Sequence, residues 1–334
     1  MATNENEKLQ NQPRQPQSLQ GLMKFAIEAG SGEDTTCNNN FQPMDAERRA
    51  FLEKTLKSLT IDIIEVLQKC ISTLHNNKDS ADQNENECIT ALETIQDYVD
   101  NIDTANDFFK IGGFSILPIC LTSPWPSVRS HGCELIADLA QNNPYCQENL
   151  LKCNLLRDLF KLLSDENVVA VKAMYAISCM VRNYDPALQY LLDNEGFKSI
   201  IEAIGSKSST DKLQTKGAFL LRALCLQDNR VRGELVQLNA VEQLSLALKT
   251  SSDSREHIMS ALLSIICSME AEESSKDLLT MDSISDEVLS RAKCPDLDLK
   301  ETLDKFIKDS ENKAELQEVN DYSKKLRNLI FKQE

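Results

Sequence analysis

The chain has 334 residues, 41% of them apolar, with 36 basic against 52 acidic side chains and a formal charge of -16. That apolar content fills a sizeable core, while the acidic excess repels phosphate backbones and anionic lipid, which sets nucleic acid and membrane aside as partners. Ten Gly, nine Pro and 5% aromatic residues point away from sandwiches and barrels and toward helix.

Residues 1–44 carry three of the nine prolines and three of the ten glycines in runs such as "NQPRQPQ" and "CNNN". Such a stretch buries too little apolar area to offset the entropy of ordering, so a disordered tail is expected. It contains one apolar island, "LQGLMKFAI" at 19–27, where Leu22, Met23, Phe25 and Ile27 stand beside Lys24. Neither a basic region followed by an apolar core nor an apolar run of the roughly 18 residues a spanning helix needs is present, so a cytosolic or nuclear protein is expected, with the cytoplasm as the first choice.

A helical cap and linker over 45–85 is expected to begin at Asp45, with Phe51, Leu52, Leu56, Leu59, Ile63, Ile64, Leu67 and Ile71 recurring at helical spacing. The polar run "HNNKDSADQNENE" follows. From 86 to 270 the sequence repeats itself. The segments "TIQDYVDN", "LIADLAQN", "AISCMVRN", "LLRALCLQ" and "LLSIICSM" align on Ile95, Ile136, Ile177, Leu221 and Leu263, at steps of 41, 41, 44 and 42. A second set, "GFSIL", "NLLRDLF", "GFKSII" and "AVEQLSL", aligns on Phe114, Leu155, Phe197 and Val241, at steps of 41, 42 and 44.

Two registers with one period identify an armadillo or HEAT-like repeat, broken by turns at Gly112 and Gly113, Asn154, Gly196 and Asn239. The expected fold is all-α: a right-handed superhelical α-solenoid whose repeats stack because none can bury its apolar face alone. Residues 271–334, acidic and without the period, are expected to form a C-terminal helical cap.

Catalytic motifs are missing. The sequence has no GxGxxG, GxxxxGK[ST] or GxSxG, and His75, His131 and His257 fall in unrelated segments, so no catalytic residue is assigned and no enzyme is expected. The eleven cysteines form no CxxC pair, and Cys133, Cys179, Cys225 and Cys267 lie inside apolar runs, as reduced core thiols would. His131 with Cys133 lacks the second pair a zinc site needs; no metal or cofactor is expected. Asp165 and Glu166 read as a solvated helix cap. Trp125, in "TSPWPSVR", is either a plug between repeats or an exposed interface anchor.

The third helices carry the candidate binding face. In "VVAVKAMYAISCMVRN", Ala173, Met174, Ile177, Met180 and Val181 make an apolar face, leaving Lys172, Tyr175, Cys179 and Arg182 along another side that faces either a groove or bulk water. The Arg182 column holds Asp100, Gln141 and Leu226 in neighbouring repeats, and the Cys179 column holds Asp97, Asp138 and Ala223. A mixed polar stripe with Arg and Tyr suits recognition of a folded protein surface.

The tail motif, "PMDAERRAFLEKTL", "NIDTANDF", "LAQNNPYCQENLL", "VKAMYAISCMVRN" and "GAFLLRALC" together resemble the Hsp70-binding protein one and Fes-one family of armadillo nucleotide exchange factors, from about residue 18 to about residue 270. The resemblance implies a co-chaperone that grips the ATPase domain of a heat-shock protein 70 chaperone in its groove, promoting release of ADP and then of client; a monomer is expected separately, because the tail and both caps show no obvious self-complementary patch. It implies groove contacts at Arg182 with Asn183, at Gln141, Asn142 and Asn143, and at Lys172 and Tyr175. Cys179, where armadillo helices commonly carry Asn, and Leu226, in a polar column, depart from the family pattern. The resemblance also implies that Leu22, Met23, Phe25 and Ile27 imitate a client peptide; the residues alone favour an amphipathic helix, with Leu19, Leu22, Met23, Ala26 and Ile27 on one face, that docks back on the solenoid. The competing function is an armadillo scaffold gripping an extended peptide, against which the column Asp97, Asp138, Cys179, Ala223 and Ile265 lacks the usual Asn ladder.

Overall fold

The computed structural model describes residue 50 and residues 62–79, 84–267, 286–311 and 313–331. The apolar island at 19–27 and most of the helix expected from Asp45 lie outside the described residues. Two compact units divide at residue 66. Of the first, Ala50 and residues 62–66 are described. Helix α1 (Ile63–Asp79) starts where Asp62 Oδ1 accepts from the backbone N–H groups of Ile64 and Glu65 at 3.1 and 3.2 Å, an N-cap that the longer sequence period concealed. It also runs into the polar stretch expected to interrupt it.

The unit 67–334 contains no strand among its described residues. Its repeats each supply three helices. The third helices are α2 (Glu85–Val99), α5 (Pro126–Ala140), α8 (Asn167–Val181), α11 (Asp211–Gln227) and α14 (Arg255–Ile266). The first helices are α3 (Ile102–Lys110), α6 (Pro144–Lys152), α9 (Asp185–Asp193) and α12 (Asn229–Gln237). The second helices are α4 (Leu117–Leu121, after a 3-10 turn at Gly113–Ile116), α7 (Leu155–Leu162), α10 (Gly196–Gly205) and α13 (Ala240–Thr250). Like packs on like: α2, α5, α8, α11 and α14 touch in that order, as do α4, α7, α10 and α13. This is the all-α solenoid expected from the period, and the third helices form its spine.

That position explains their composition. Helix α8 buries Val169, Ala170, Ala173, Met174, Ala176, Ile177, Met180 and Val181, because α5 and α11 flank it on two sides and the other helices of its repeat close a third. Only a narrow strip remains open. Alanines on the flanks let neighbouring helices approach to the usual 8–10 Å.

The turn between first and second helices is left-handed in each repeat, at Gly112 (φ 85), Asn154 (φ 57), Glu195 (φ 55) and Asn239 (φ 58). Asn and Gly tolerate that conformation; Glu does not prefer it. The third of these turns was expected at Gly196 and falls one residue earlier. Gly196 serves packing instead, since a Cβ there would stand 2.8 Å from Leu191 Cγ and 2.9 Å from Phe160 Cζ.

Beyond α14 come α15 (Asp286–Ala292), α16 (Leu299–Ser310) and α17 (Gln317–Phe331). Helix α17 packs against α14 and α16 through Val319, Leu326 and Ile330, and every α14 residue from Ile258 onward is buried. Arg291 of α15 donates to the Val236 carbonyl at 2.7 Å and to Asn239 Oδ1 at 2.9 Å, tying this region to the last left-handed turn.

Candidate partner-binding face on the third helices

Because the third helices stack in register, the open strip of each continues onto the next. The columns are Thr90, His131, Lys172 and Lys216, then Glu93, Glu134, Tyr175 and Phe219, then Asp97, Asp138, Cys179 and Ala223, then Asp100, Gln141, Arg182 and Leu226. One contact recurs along the face: the first-column residue reaches back to the second-column residue of the preceding repeat. His131 Nε2 lies 3.8 Å from Glu93, Lys172 pairs with Glu134, and Lys216 Nζ stands 4.3 Å from the centre of the Tyr175 ring. A second contact runs forward. Gln141 Oε1 accepts from the Tyr175 hydroxyl at 3.1 Å, and the Arg182 guanidinium lies 5.2 Å from the centre of the Phe219 ring.

These contacts bring Lys172, Tyr175, Gln141 and Arg182 of the expected groove set into one continuous surface. The "QNN" block divides. Asn142 and Asn183 are left-handed residues (φ 55 and 57) that turn the chain from third helix to first helix. Asn183 donates its backbone N–H to Gln227 Oε1 at 3.2 Å. Asn143 is 3% exposed, caps α6 by accepting from the Cys146 N–H at 3.2 Å, and donates to Asn106 Oδ1 at 3.1 Å, so its side chain is committed to the turn.

Arg182 is held from both neighbouring repeats. Gln147 of α6 donates its side-chain amide to the carbonyls of Cys179 at 2.8 Å and Arg182 at 3.3 Å, and Gln227 of α11 braces the following turn through Asn183 and Asp185.

Electrostatics divide the face. Burial pushes the Asp138 carboxyl up, a rise that the hydrogen bond from Gln96 at 3.0 Å opposes and the nearby Glu134 and Asp100 reinforce. Burial and the neighbouring Lys172 push Lys216 down, while burial and Cys179 push the Tyr175 hydroxyl up to about 12. Burial likewise raises the Cys179 thiol, which is therefore no ready nucleophile.

Two residues that the sequence reading passed over belong to this face. Phe219 is 44% exposed beneath Arg182, and Lys216 lies on Tyr175. Their signal was positional: each stands 44 residues after its column partner, Tyr175 or Lys172.

The other candidates are structural. Asp165 receives a two-pronged pair from Arg129, Nε to Oδ2 at 2.7 Å and Nη2 to Oδ1 at 2.8 Å, which holds its carboxyl below the usual range. Trp125 is half-buried at the start of α5, lining a cleft of about 210 Å³ with Leu74, Cys88, Cys120 and Val128, which favours the plug over the anchor. His131 is 27% exposed, with Nδ1 2.9 Å from the Ser127 carbonyl of its own helix. The ten cysteines among the described residues are free, and burial raises Cys120, Cys146 and Cys225 to about 12. No group of three or more His, Cys, Asp or Glu side chains among the described residues is placed to hold a metal ion, and no helix among them is long and apolar enough to cross a membrane.

Comparison with known proteins places relatives on this architecture. Residues 104–245 match the SIL1/FES1/HPBP1 C-terminal domain, and residues 19–108 match Nucleotide exchange factor Fes1. Hsp70-binding protein 1 of Macaca fascicularis is 33% identical over 269 residues, covering 76% of this chain and 72% of that protein. The Homo sapiens protein of the same name is 32% identical over 268 residues, covering 76% and 73%. Among solved structures, the designed armadillo repeat protein YIII(Dq)4CqI superposes with a TM-score of 0.57 at 15% identity over 80% of this chain and all of that one, a likeness of fold alone.

Proposed function

The chain belongs to the SIL1/FES1/HPBP1 family, and on that premise we propose that its third-helix face grips the ATPase domain of a heat-shock protein 70 chaperone and promotes exchange of the bound nucleotide. Binding across several helices of a stiff spine favours the chaperone conformation whose surface matches that spine. If that conformation is the open one, ADP affinity falls by the factor with which this protein prefers open over closed. Release of ADP and entry of ATP then let the chaperone drop its client. This protein makes and breaks no bond in that cycle, and it works as a co-chaperone rather than as an enzyme.

The observation that carries the site is the continuity of the face. Lys172, Tyr175, Gln141 and Arg182 are tied to one another or to Glu134, Lys216 and Phe219 across three stacked helices, so the surface meets a partner already ordered. Asn142, Asn143 and Asn183 act through the turns that set where this surface ends. The apolar motif with Leu22, Met23, Phe25 and Ile27 serves as a tethered client mimic at high local concentration once the face is engaged, and the match to Nucleotide exchange factor Fes1 begins at residue 19. Buried, unpaired thiols support a cytoplasmic site of action.

The peptide-gripping alternative needs a longer open ladder. Ile265, its fifth rung, is 1% exposed beside α17. Stopped-flow release of fluorescent ADP from a heat-shock protein 70 ATPase domain tests the proposal: the full chain accelerates release and Arg182→Glu blunts the acceleration. Equal acceleration by the variant would move the contact off this face.

A further inference from the structure

The third-helix face is polarised along its length. Once the Lys172 and Glu134 pair is set aside, the strips of α2 and α5 present Glu93, Asp97, Asp100 and Asp138. The strips of α8 and α11 present Arg182, Lys216 and Arg222, and no acid stands among their open residues Val168, Lys172, Tyr175, Cys179, Arg182, Lys216, Phe219, Arg222, Ala223 and Leu226. This cationic end interrupts a chain whose formal charge is -16. It also carries the exposed apolar surface: Phe219 is 44% and Leu226 46% exposed, and with Arg222 they line one side of α11 at i, i+3 and i+7. Beyond α11 the strip closes, because α14 is buried against α17. The open face therefore has an acidic beginning and a cationic, aromatic end.

We infer that this face docks its partner in one direction only, taking a basic surface against α2 and α5 and an acidic surface with an apolar centre against α8 and α11, anchored by Phe219, Arg222 and Leu226. The inference rests on the exchange-factor reading, so the occupant is the chaperone's ATPase domain, a folded surface rather than an extended peptide. Three interhelical steps of 8–10 Å separate α2 from α11 by roughly 25–30 Å, the width of a small domain. That is about three Debye lengths at physiological salt, so the two ends act independently and a partner turned end for end meets like charge at both. Steering by the charged ends sets the association rate, while the apolar anchors, flanked by the Arg182 and Phe219 contact, set the dissociation rate.

The test uses the full chain and an ADP-loaded heat-shock protein 70 ATPase domain. Wild type is first shown to accelerate ADP release, which checks the exchange-factor reading by itself. Asp97→Lys with Asp100→Lys, and Arg182→Glu with Arg222→Glu, are each expected to slow association about tenfold at about 0.05 M salt and less than about twofold at about 0.5 M. The combined variant slows it by the product of the two factors. Phe219→Ala with Leu226→Ala speeds dissociation about tenfold and leaves association unchanged. A photo-crosslinker at position 97 marks basic segments of the ATPase domain, and one at position 226 marks acidic or apolar segments. Active wild type with charge variants that associate normally, or with crosslinks that mark the same segments from both ends, overturns directional docking and leaves exchange standing. Wild type that ignores the ATPase domain and binds an extended acidic peptide overturns both.

Discussion

Gln147 offers a way to disturb the candidate face without touching it. The side chain is 5% exposed, and its amide donates to the carbonyls of Cys179 and Arg182, the last acceptors of α8. Helix C-termini leave carbonyls without partners, and here the preceding repeat supplies the donor. Replacement by Leu keeps the volume and removes both bonds. Both bonds are part-buried and their donor is 5% exposed, so losing it costs about 2 kcal/mol. For a solenoid of this size that lowers the melting temperature by about 4–8 °C. Gln147→Glu costs more, because a carboxylate facing two carbonyls has no proton to give at neutral pH. Circular dichroism melts give the stability, and ADP release at 25 °C, where both variants remain folded, gives the function. The expectation is a several-fold loss of exchange as Arg182 leaves its register over Phe219. A Gln147→Leu protein that melts with wild type and exchanges normally would refute the reasoning that the preceding repeat holds Arg182.

Asp211 accepts the backbone N–H groups and hydroxyls of Ser252 and Ser254 at 2.7–3.3 Å, stapling α11 to the turn before α14, although the Ser254 hydroxyl also has Gln214 Oε1 at 2.7 Å as an acceptor. These bonds hold its carboxyl well below the usual range, as Arg129 does for Asp165 and Arg230 for Asp228. Their stabilisation is therefore full above the unfolded value near 4 and is lost as pH falls through the depressed folded values. Asp211→Asn melts about 5–10 °C below wild type at pH 7, and the gap narrows progressively as pH falls below the unfolded value near 4; a gap independent of pH counts against the staple. Arg129→Met leaves the 16%-exposed Asp165 carboxylate without its partner and costs about 3 kcal/mol in urea unfolding; a loss under about 1 kcal/mol would assign the pair to the ordinary surface class. Glu195→Gly relieves a left-handed Glu (φ 55) and raises the unfolding free energy in urea by about 1 kcal/mol; an unchanged value removes that strain.

The solenoid was legible because its signal is repeated. A period of 41–44 residues in two registers survives the loss of any one position, and the stripe Lys172, Tyr175, Cys179 and Arg182 follows from helix geometry alone. What escaped the sequence depends on partners tens of residues away. Asn143 reads as a polar groove residue until its cap on α6 and its bond to Asn106 are known. Glu195 carries no mark of a left-handed turn, since its neighbour Gly196 is the residue that ordinarily adopts one. Phe219 stands unremarked among apolar residues in "GAFLLRALC", and the register of α11 against α8 places it beneath Arg182. The burial of α14 by α17 joins segments more than fifty residues apart, one of them strongly polar, and no local pattern announces it.

Differential affinity is the heart of the account, and linkage makes it directly measurable. Isothermal titration of the full chain into a heat-shock protein 70 ATPase domain, once free of nucleotide and once saturated with ADP, gives two dissociation constants. Their ratio must equal the factor by which this protein weakens ADP binding to the same domain. The account predicts tighter binding to the nucleotide-free domain, with the two factors in agreement. Equal affinity for both forms would contradict it, because a protein that binds open and closed states alike shifts nothing however tightly it binds.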